Sequence, residues 1–261
     1  MAEEAEWAAY LYPGTNILRN KLGIQDERIY EAEAFLVGRR AEQLRAGLVE
    51  IPRTLDAEQL KAIHFHLGRD LYSWSGEFRT VSLGKRTVEG EPARWFLPPK
   101  AIAGWLDEVT ADARQVAWSD LPRAELVKET AQLYGYLNLG HSFREINGRA
   151  SRIFLEQTIE GSPFTLNFNQ VETDEWNEAS RDSIAPGRSS SPAGPLDFAP
   201  LERVFGKIVV DRDATPPTAA RSNLLQRVQD LTEQTSIQRG GGVGPGGDYR
   251  PGPAHDRGPS L

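Results

Sequence analysis

The sequence predicts an all-α fold: a helical bundle with one small β-hairpin and a C-terminal tail that forms no packed structure of its own. Three observations carry that reading. Apolar residues recur at three- and four-residue spacing through most of residues 17–210, strand-like composition is confined to about 79–98, and the composition changes after Val210.

After the Pro13-Gly14 turn, Ile17 to about Gly47 reads as largely helical, with Tyr30, Ala34, Leu36 and Val37 facing inward. A helix over about 57–72 has Leu60, Ile63, Leu67 and Leu71 as its apolar stripe, and His64 and His66 read as surface or capping residues on it. Helices near 100–112 and 123–139 follow, the second on the stripe Leu126, Val127, Thr130, Leu133, Tyr134 and Leu137. Another over about 148–160 carries Ile153, Phe154 and Leu155 and is stopped by Gly161-Ser162-Pro163. A stretch from about Glu172 to Ser183 contains Trp176 and leads into a Ser/Pro/Gly-rich loop, and Leu196 to Val210 forms a closing helix with Pro200 near its start. The hairpin combines the strand formers Phe78, Thr80, Val81 and Leu83, a turn cluster at Val88-Glu89-Gly90-Glu91-Pro92, and Trp95-Phe96-Leu97.

From Asp211 to Leu261 there is no lysine, and clusters such as Pro216-Pro217 and Gly240-Gly241-Gly242 interrupt the chain. Leu224, Leu225, Val228 and Leu231 fit one short helix, and disorder is expected from about Gln238, as in a linker or an inert extension. The expected organisation is an arm and helix at 1–50, a core at 51–185, a closing segment at 186–210 and the tail at 211–261.

Composition narrows the function. A net charge of -7 and a pI near 5.3 argue against nucleic-acid binding, which needs a basic face. There is no cysteine, so disulfides and thiolate metal sites are absent. No apolar run approaches membrane-spanning length, and the start Met1-Ala2-Glu3-Glu4-Ala5-Glu6 is acidic where a secretory leader would be basic and then apolar. A cytoplasmic protein, or one exported without such a leader, is expected.

The chemistry concentrates in His141-Ser142-Phe143-Arg144-Glu145-Ile146-Asn147-Gly148-Arg149-Ala150-Ser151-Arg152, in a loop between two expected helices and at the start of the second. A histidine can take a proton from a hydroxyl near neutral pH. A carboxylate can hold Mg²⁺ while the metal bridges phosphate oxygens. A helix N-terminus offers unpaired N–H groups and a positive dipole end to an anion, here at Asn147, Gly148 and Arg149. Arg149 and Arg152, three residues apart, could grip a polyphosphate. Phosphoryl or nucleotidyl transfer needs this set of groups. The plain alternative for Glu145, Arg149 and Arg152 is a charged helix face at turn spacing, and their occurrence in register with His141 and Asn147 is what favours function. Arg144 reads as solvated, and Ser142, Ala150 and Ser151 as spacers.

The run resembles the signature of the Fic family, His-x-Phe-x-(Asp/Glu)-(Gly/Ala)-Asn-(Gly/Lys)-Arg with a further arginine three residues on. Asp56 to His64, Tyr72 to Arg79, Tyr12 to Thr15 and Leu18 to Ile24 are similar to flanking stretches of bacterial Fic proteins, so the likeness spans roughly residues 10–185. The resemblance implies a Fic-type helical bundle and transfer of AMP from ATP, with Mg²⁺, to a hydroxyl of a protein. It makes His141 the general base, Phe143 the anchor of the loop and Glu145 the Mg²⁺ ligand. Asn147 and the amides around Gly148 become the anion hole, Arg149 reaches the outer phosphates and Arg152 grips the γ-phosphate. Ile146 stands where the family has Gly or Ala, and is accommodated if the backbone there is ordinary helix-start geometry with the side chain turned to the core; otherwise it narrows the anion hole.

The resemblance also implies that the hairpin is a flap pairing with the target's backbone through Leu83, Gly84, Lys85 and Arg86. Lys85, Arg86 and Arg94 suit an acidic target segment. Neither Thr54-Leu55-Asp56-Ala57-Glu58-Gln59 nor Thr87-Val88-Glu89-Gly90-Glu91-Pro92 matches the family's inhibitory helix, which implies a separate small antitoxin contacting Arg152 and a toxin role for this chain. Two alternatives stand beside this: transfer of UMP, phosphate or phosphocholine from another donor, and an impaired Fic domain serving as a nucleotide-binding interaction module.

Overall fold

The computed structural model describes residues 2–85, 94–186 and 196–213. Arg86, most of the flap tip, the loop at 187–195 and the tail lie outside the described residues. The helices are α1 (Ala2–Tyr10), α2 (Arg28–Arg45), α3 (Ala57–Gly68), α4 (Ile102–Ala113), α5 (Arg123–Gly140), α6 (Asn147–Thr158), α7 (Thr173–Asp182) and α8 (Ala199–Ile208). The strands are β1 (Gly84–Lys85), β2 (Arg94–Trp95), β3 (Phe164–Leu166) and β4 (Val209–Asp211), and short 3₁₀ turns at Pro99–Ala101 and Phe168–Gln170 lead into α4 and α7. The fold is the mostly helical one the sequence predicts.

The α5 stripe is buried at every expected position: Leu126, Val127, Thr130, Leu133, Tyr134 and Leu137. A helix apolar on so many sides sits centrally, and α5 packs against α4, α6 and α8. Helix α3 packs against α2, α4 and α6, and Leu60, Ile63, Leu67 and Leu71 are all buried. Its start is fixed by a reciprocal cap. Asp56 accepts from Gln59 N at 2.9 Å, while Gln59 Oε1 accepts from Leu55 N at 2.7 Å. Residues 17–44 and 201–209 contribute to the same core. A second apolar cluster of Val81, Leu83, Phe96, Leu97, Leu139 and Ile184 underlies the hairpin, where Gly84 pairs with Trp95 and Lys85 with Arg94 in antiparallel register.

Several expectations are corrected. The helix expected from Ile17 begins only at Arg28: Gly23 stands at φ +70, and Asn20 holds its own loop by bonding the Leu18 and Ile24 carbonyls at 2.9 and 2.7 Å. With that start, the buried face is Ile29, Val37, Ala41 and Leu44, and Tyr30 and Ala34 point to solvent. Helix α3 ends at Gly68 rather than near 72. The closing helix stops at Ile208 because Val209 turns extended (ψ 110), and Val209–Asp211 pairs antiparallel with Phe164–Leu166. Two-stranded pairing is therefore present at a second place besides the hairpin.

Candidate active site

The signature run forms the connection between α5 and α6, and its backbone makes two left-handed turns. His141 closes α5 at φ 38, ψ 57, and Ile146 opens α6 at φ 65, ψ 7. Neither is glycine, so each conformation carries strain of about 1–3 kcal/mol that surrounding contacts must offset. Of the two conditions for accommodating Ile146, ordinary helix-start backbone is not met, while the side chain does turn to the core, at 2 % exposure.

The contacts that hold this connection are identifiable. Phe143 is buried, and its N–H donates to Asn147 Oδ1 while its carbonyl accepts from Asn147 Nδ2, both at 2.8 Å. The Asn147 side chain therefore ties the loop to itself. The Phe143 ring stacks on His64 with centroids 3.8 Å apart and planes 5° apart. His64 is fully buried on α3; its Nδ1 accepts from Gly76 N at 2.8 Å and its Nε2 lies 3.0 Å from the Glu145 carbonyl oxygen. Since Gly76 N–H can only donate, Nδ1 is the acceptor and Nε2 carries the hydrogen. Burial pushes the pKa of His64 down to about 4, so the ring is neutral near pH 7. The surface reading of His64 and of His66, which is also buried, is corrected.

On the α5 side, Arg79 holds the turn at His141. Its guanidinium donates to the carbonyl oxygens of His141 (2.7 Å), Val81 (2.7 Å), Gly140 (3.2 Å) and Leu97, and its own N–H donates to Ser142 O at 2.9 Å. Arg79 is 2 % exposed, and burial lowers its pKa to about 10. Four carbonyls replace the water it has lost. The His141 ring, 7 % exposed, stacks on Phe96 at 3.8 Å, and Leu97 N donates to Leu139 O, so the hairpin base and the end of α5 form one unit.

Between the two turns lies Glu145, whose Oε1 accepts from Ile146 N at 3.4 Å. Burial first, then the charge of Glu33 on α2, pushes its pKa up to about 7, against the opposing pull of Arg144 and Arg149. No side chain caps α6, and a Cβ built on Gly148 would meet nothing within 4 Å, which leaves room beside the first-turn amides. Arg149 forms an ion pair with Glu33, whose other oxygen accepts from the buried Tyr72 hydroxyl at 2.5 Å. Arg152 lies instead over the rings of Trp176 and Phe168, 4.5 and 4.9 Å from their centres, beside a cleft of about 280 Å³ that Asn169 and Thr173 help to line.

The structure thus gathers His141, Glu145, Asn147 and Gly148 in one loop and gives the two arginines different neighbours. Arg144 is 7 % exposed against the Trp7 ring, with Nη1 3.8 Å from Glu145 Oε2, which corrects its reading as solvated. In the flap, Leu83 is 2 % exposed and its carbonyl accepts from Phe96 N, so its side chain belongs to the core. Arg94, expected to suit an acidic target segment, is bonded to the Ile184 carbonyl and to Asp182. Sequence reasoning missed the roles of His64, Arg79 and Glu33. The signal for two of them was present: His64 is four residues after Leu60 and three before Leu67, and Glu33 is four from both Ile29 and Val37, so each lies on a buried helix face.

The Fic/DOC family model matches residues 54–159. A probable protein adenylyltransferase of Escherichia coli is 29% identical over 203 residues, covering 77% of this chain and 91% of the relative. One from Sinorhizobium fredii is 30% identical over 174 residues, 64% of this chain and 83% of the relative. Among solved structures, the Bartonella tribocorum effector BepC, crystallised with bound AMPPNP, superposes with a TM-score of 0.66 at 25% identity over 78% of this chain and 97% of its own. The matched region contains α3, the hairpin and the whole signature loop, and from the motif, the fold and these relatives together it follows that the chain belongs to the Fic/DOC family.

Proposed function

We propose that this chain is a protein adenylyltransferase that moves AMP from ATP to a hydroxyl side chain of a target protein. The observation that carries this is the short connection in which His141, Glu145 and the uncapped start of α6 stand within eight residues, between turns pinned by buried contacts. The relatives' names and the AMPPNP held by the Bartonella protein support the same reading.

His141 takes the proton from the attacking hydroxyl as its oxygen bonds to the α-phosphorus; the bond to the bridging oxygen breaks and pyrophosphate leaves. The α6 amides and open Gly148 receive phosphate oxygens, and Arg149, half-exposed and anchored through one nitrogen, turns its remaining donors to the outer phosphates. Arg152 contributes positive charge near the cleft beside α7.

The residues fit Mg²⁺. Glu145 is a hard oxygen donor whose charged form is opposed by burial and by the charge of Glu33, so a cation beside it would offset both; Glu145 would hold the ion together with the nucleotide. Among the described residues no group of three or more His, Cys, Asp or Glu side chains could hold a metal alone, which suits an ion that arrives with the nucleotide. Bound at Glu145, it would neutralise charge across the phosphates.

The hairpin offers its backbone to an extended target segment at Gly84 and Lys85. We further place the enzyme in the cytoplasm as a toxin restrained by a separate antitoxin. Support comes from Arg152, with which no carboxylate among the described residues makes an ion pair and whose Nε is buried without a hydrogen-bond partner. Incubating the protein and Mg²⁺ with a bacterial lysate and either α- or γ-labelled ATP tests the reaction. Label on a protein band from the α-position alone supports AMP transfer; label from the γ-position contradicts it in favour of phosphate transfer.

A further inference from the structure

We propose that His64 and Gly68, one turn apart on α3, form a template that forces the signature loop into its left-handed turn at Ile146. His64 would thereby be a positioning residue for the Glu145 carboxylate and the α6 amides; its effect on nucleotide rests on the adenylyltransferase reading.

A β-branched residue at φ +65 resists that conformation, and glycine would adopt it unaided. Ile146 must therefore be held there from outside, and both handles come from one face of α3. His64 Nε2–H donates to the carbonyl of Glu145, the residue just before the turn, and the ring is itself fixed by Gly76 N–H and by the stack on Phe143. Four residues later, Gly68 leaves a notch for Ile146. A Cβ on Gly68 would stand 3.0 Å from Ile146 Cδ1 and 2.6 Å from Ser75 Oγ. One turn of helix thus fixes the peptide oxygen before the turn and the side chain at the turn. Because Glu145 precedes the turn and the α6 amides follow it, a relaxed turn would misplace both.

Two substitutions divide the two bonds of His64. His64→Asn keeps an acceptor near Nδ1 for Gly76 and gives up the donor to Glu145; His64→Gln keeps a donor near Nε2 and gives up the acceptor. Both lose melting temperature through the lost stack. Only the Asn variant should lose Mg·ATP affinity by about 10–100-fold, while the Gln variant stays within about threefold of wild type by calorimetry. Backbone carbon chemical shifts at Ile146 should report the left-handed turn in wild type and His64→Gln and its loss in His64→Asn, without any nucleotide. In the Ile146→Gly background the effect of His64→Asn should shrink, since glycine needs no forcing.

Equal behaviour of the two His64 variants, or a turn that persists in His64→Asn, overturns the template. If wild type binds no Mg·ATP while the shifts behave as stated, the template stands and the adenylyltransferase reading fails. If neither His64 variant folds, Gly68→Ala with Ser75→Ala tests the notch alone. The turn should then be lost from the backbone shifts at position 146 and return at that position when Ile146→Gly is added; no loss, or no return, overturns the template.

Discussion

The signature loop and the flap lie against each other and are built in opposite ways. In the loop, side chains chosen for chemistry are carried on a backbone pinned at several points: His64 on the Glu145 carbonyl, Asn147 on both polar groups of Phe143, and Arg79 on the carbonyls around His141. In the hairpin base, side chains that look available are already committed, Leu83 to the apolar cluster and Arg94 to Ile184 and Asp182. The difference teaches where precision is needed. A reacting hydroxyl and a phosphate demand fixed donors, whereas a docking strand needs an edge whose main-chain groups suit many sequences.

The comparison is broken most severely at Arg79, which joins the two regions. Arg79→Met leaves several buried carbonyls without donors, and denaturant unfolding should show a loss of about 3–5 kcal/mol. Next comes acidification. His64 has its pKa depressed in the folded state, from an unfolded value near 6.5 to about 4. The unfolded chain therefore binds the proton first, and stability present above pH 6.5 should fall by about 3 kcal/mol as pH drops from 6.5 through 4. His64→Gln should remove that slope, and a slope unchanged in the variant would assign it to other groups. A smaller effect is expected in the flap. A Cβ on Gly84 would come 2.9 Å from the Trp95 ring, so Gly84→Ala should cost about 1–2 kcal/mol and lower target labelling while leaving Mg·ATP affinity unchanged. Loss of nucleotide binding there would mean that the two regions are not separable.

Much of this was legible in the sequence. Strong periodicity marked α3, α5 and α6, and the signature residues were found because their types occur in register. The β3–β4 pair was not legible, since three-residue strands are too short to show a period and their partners are 43 to 47 positions apart. Arg79 lies in a stretch similar to bacterial Fic proteins, yet its role depends on carbonyls from Val81, Leu97, Gly140 and His141 that converge only in the fold. Arg144 reads as a solvated charge in any linear view, and its burial against Trp7 from α1 joins residues too far apart in sequence to be linked. His64 and Glu33 lay on apolar stripes, and their polarity hid a position that the spacing had already marked as internal.

The central claim is that this loop separates holding the nucleotide from activating the hydroxyl. The most direct test compares wild type with His141→Ala for Mg·ATP affinity by calorimetry and for transfer of α-label to protein. The account predicts affinity within about threefold and labelling reduced by about 10²–10⁴-fold. Equal loss of both, or labelling that survives without His141, would contradict it.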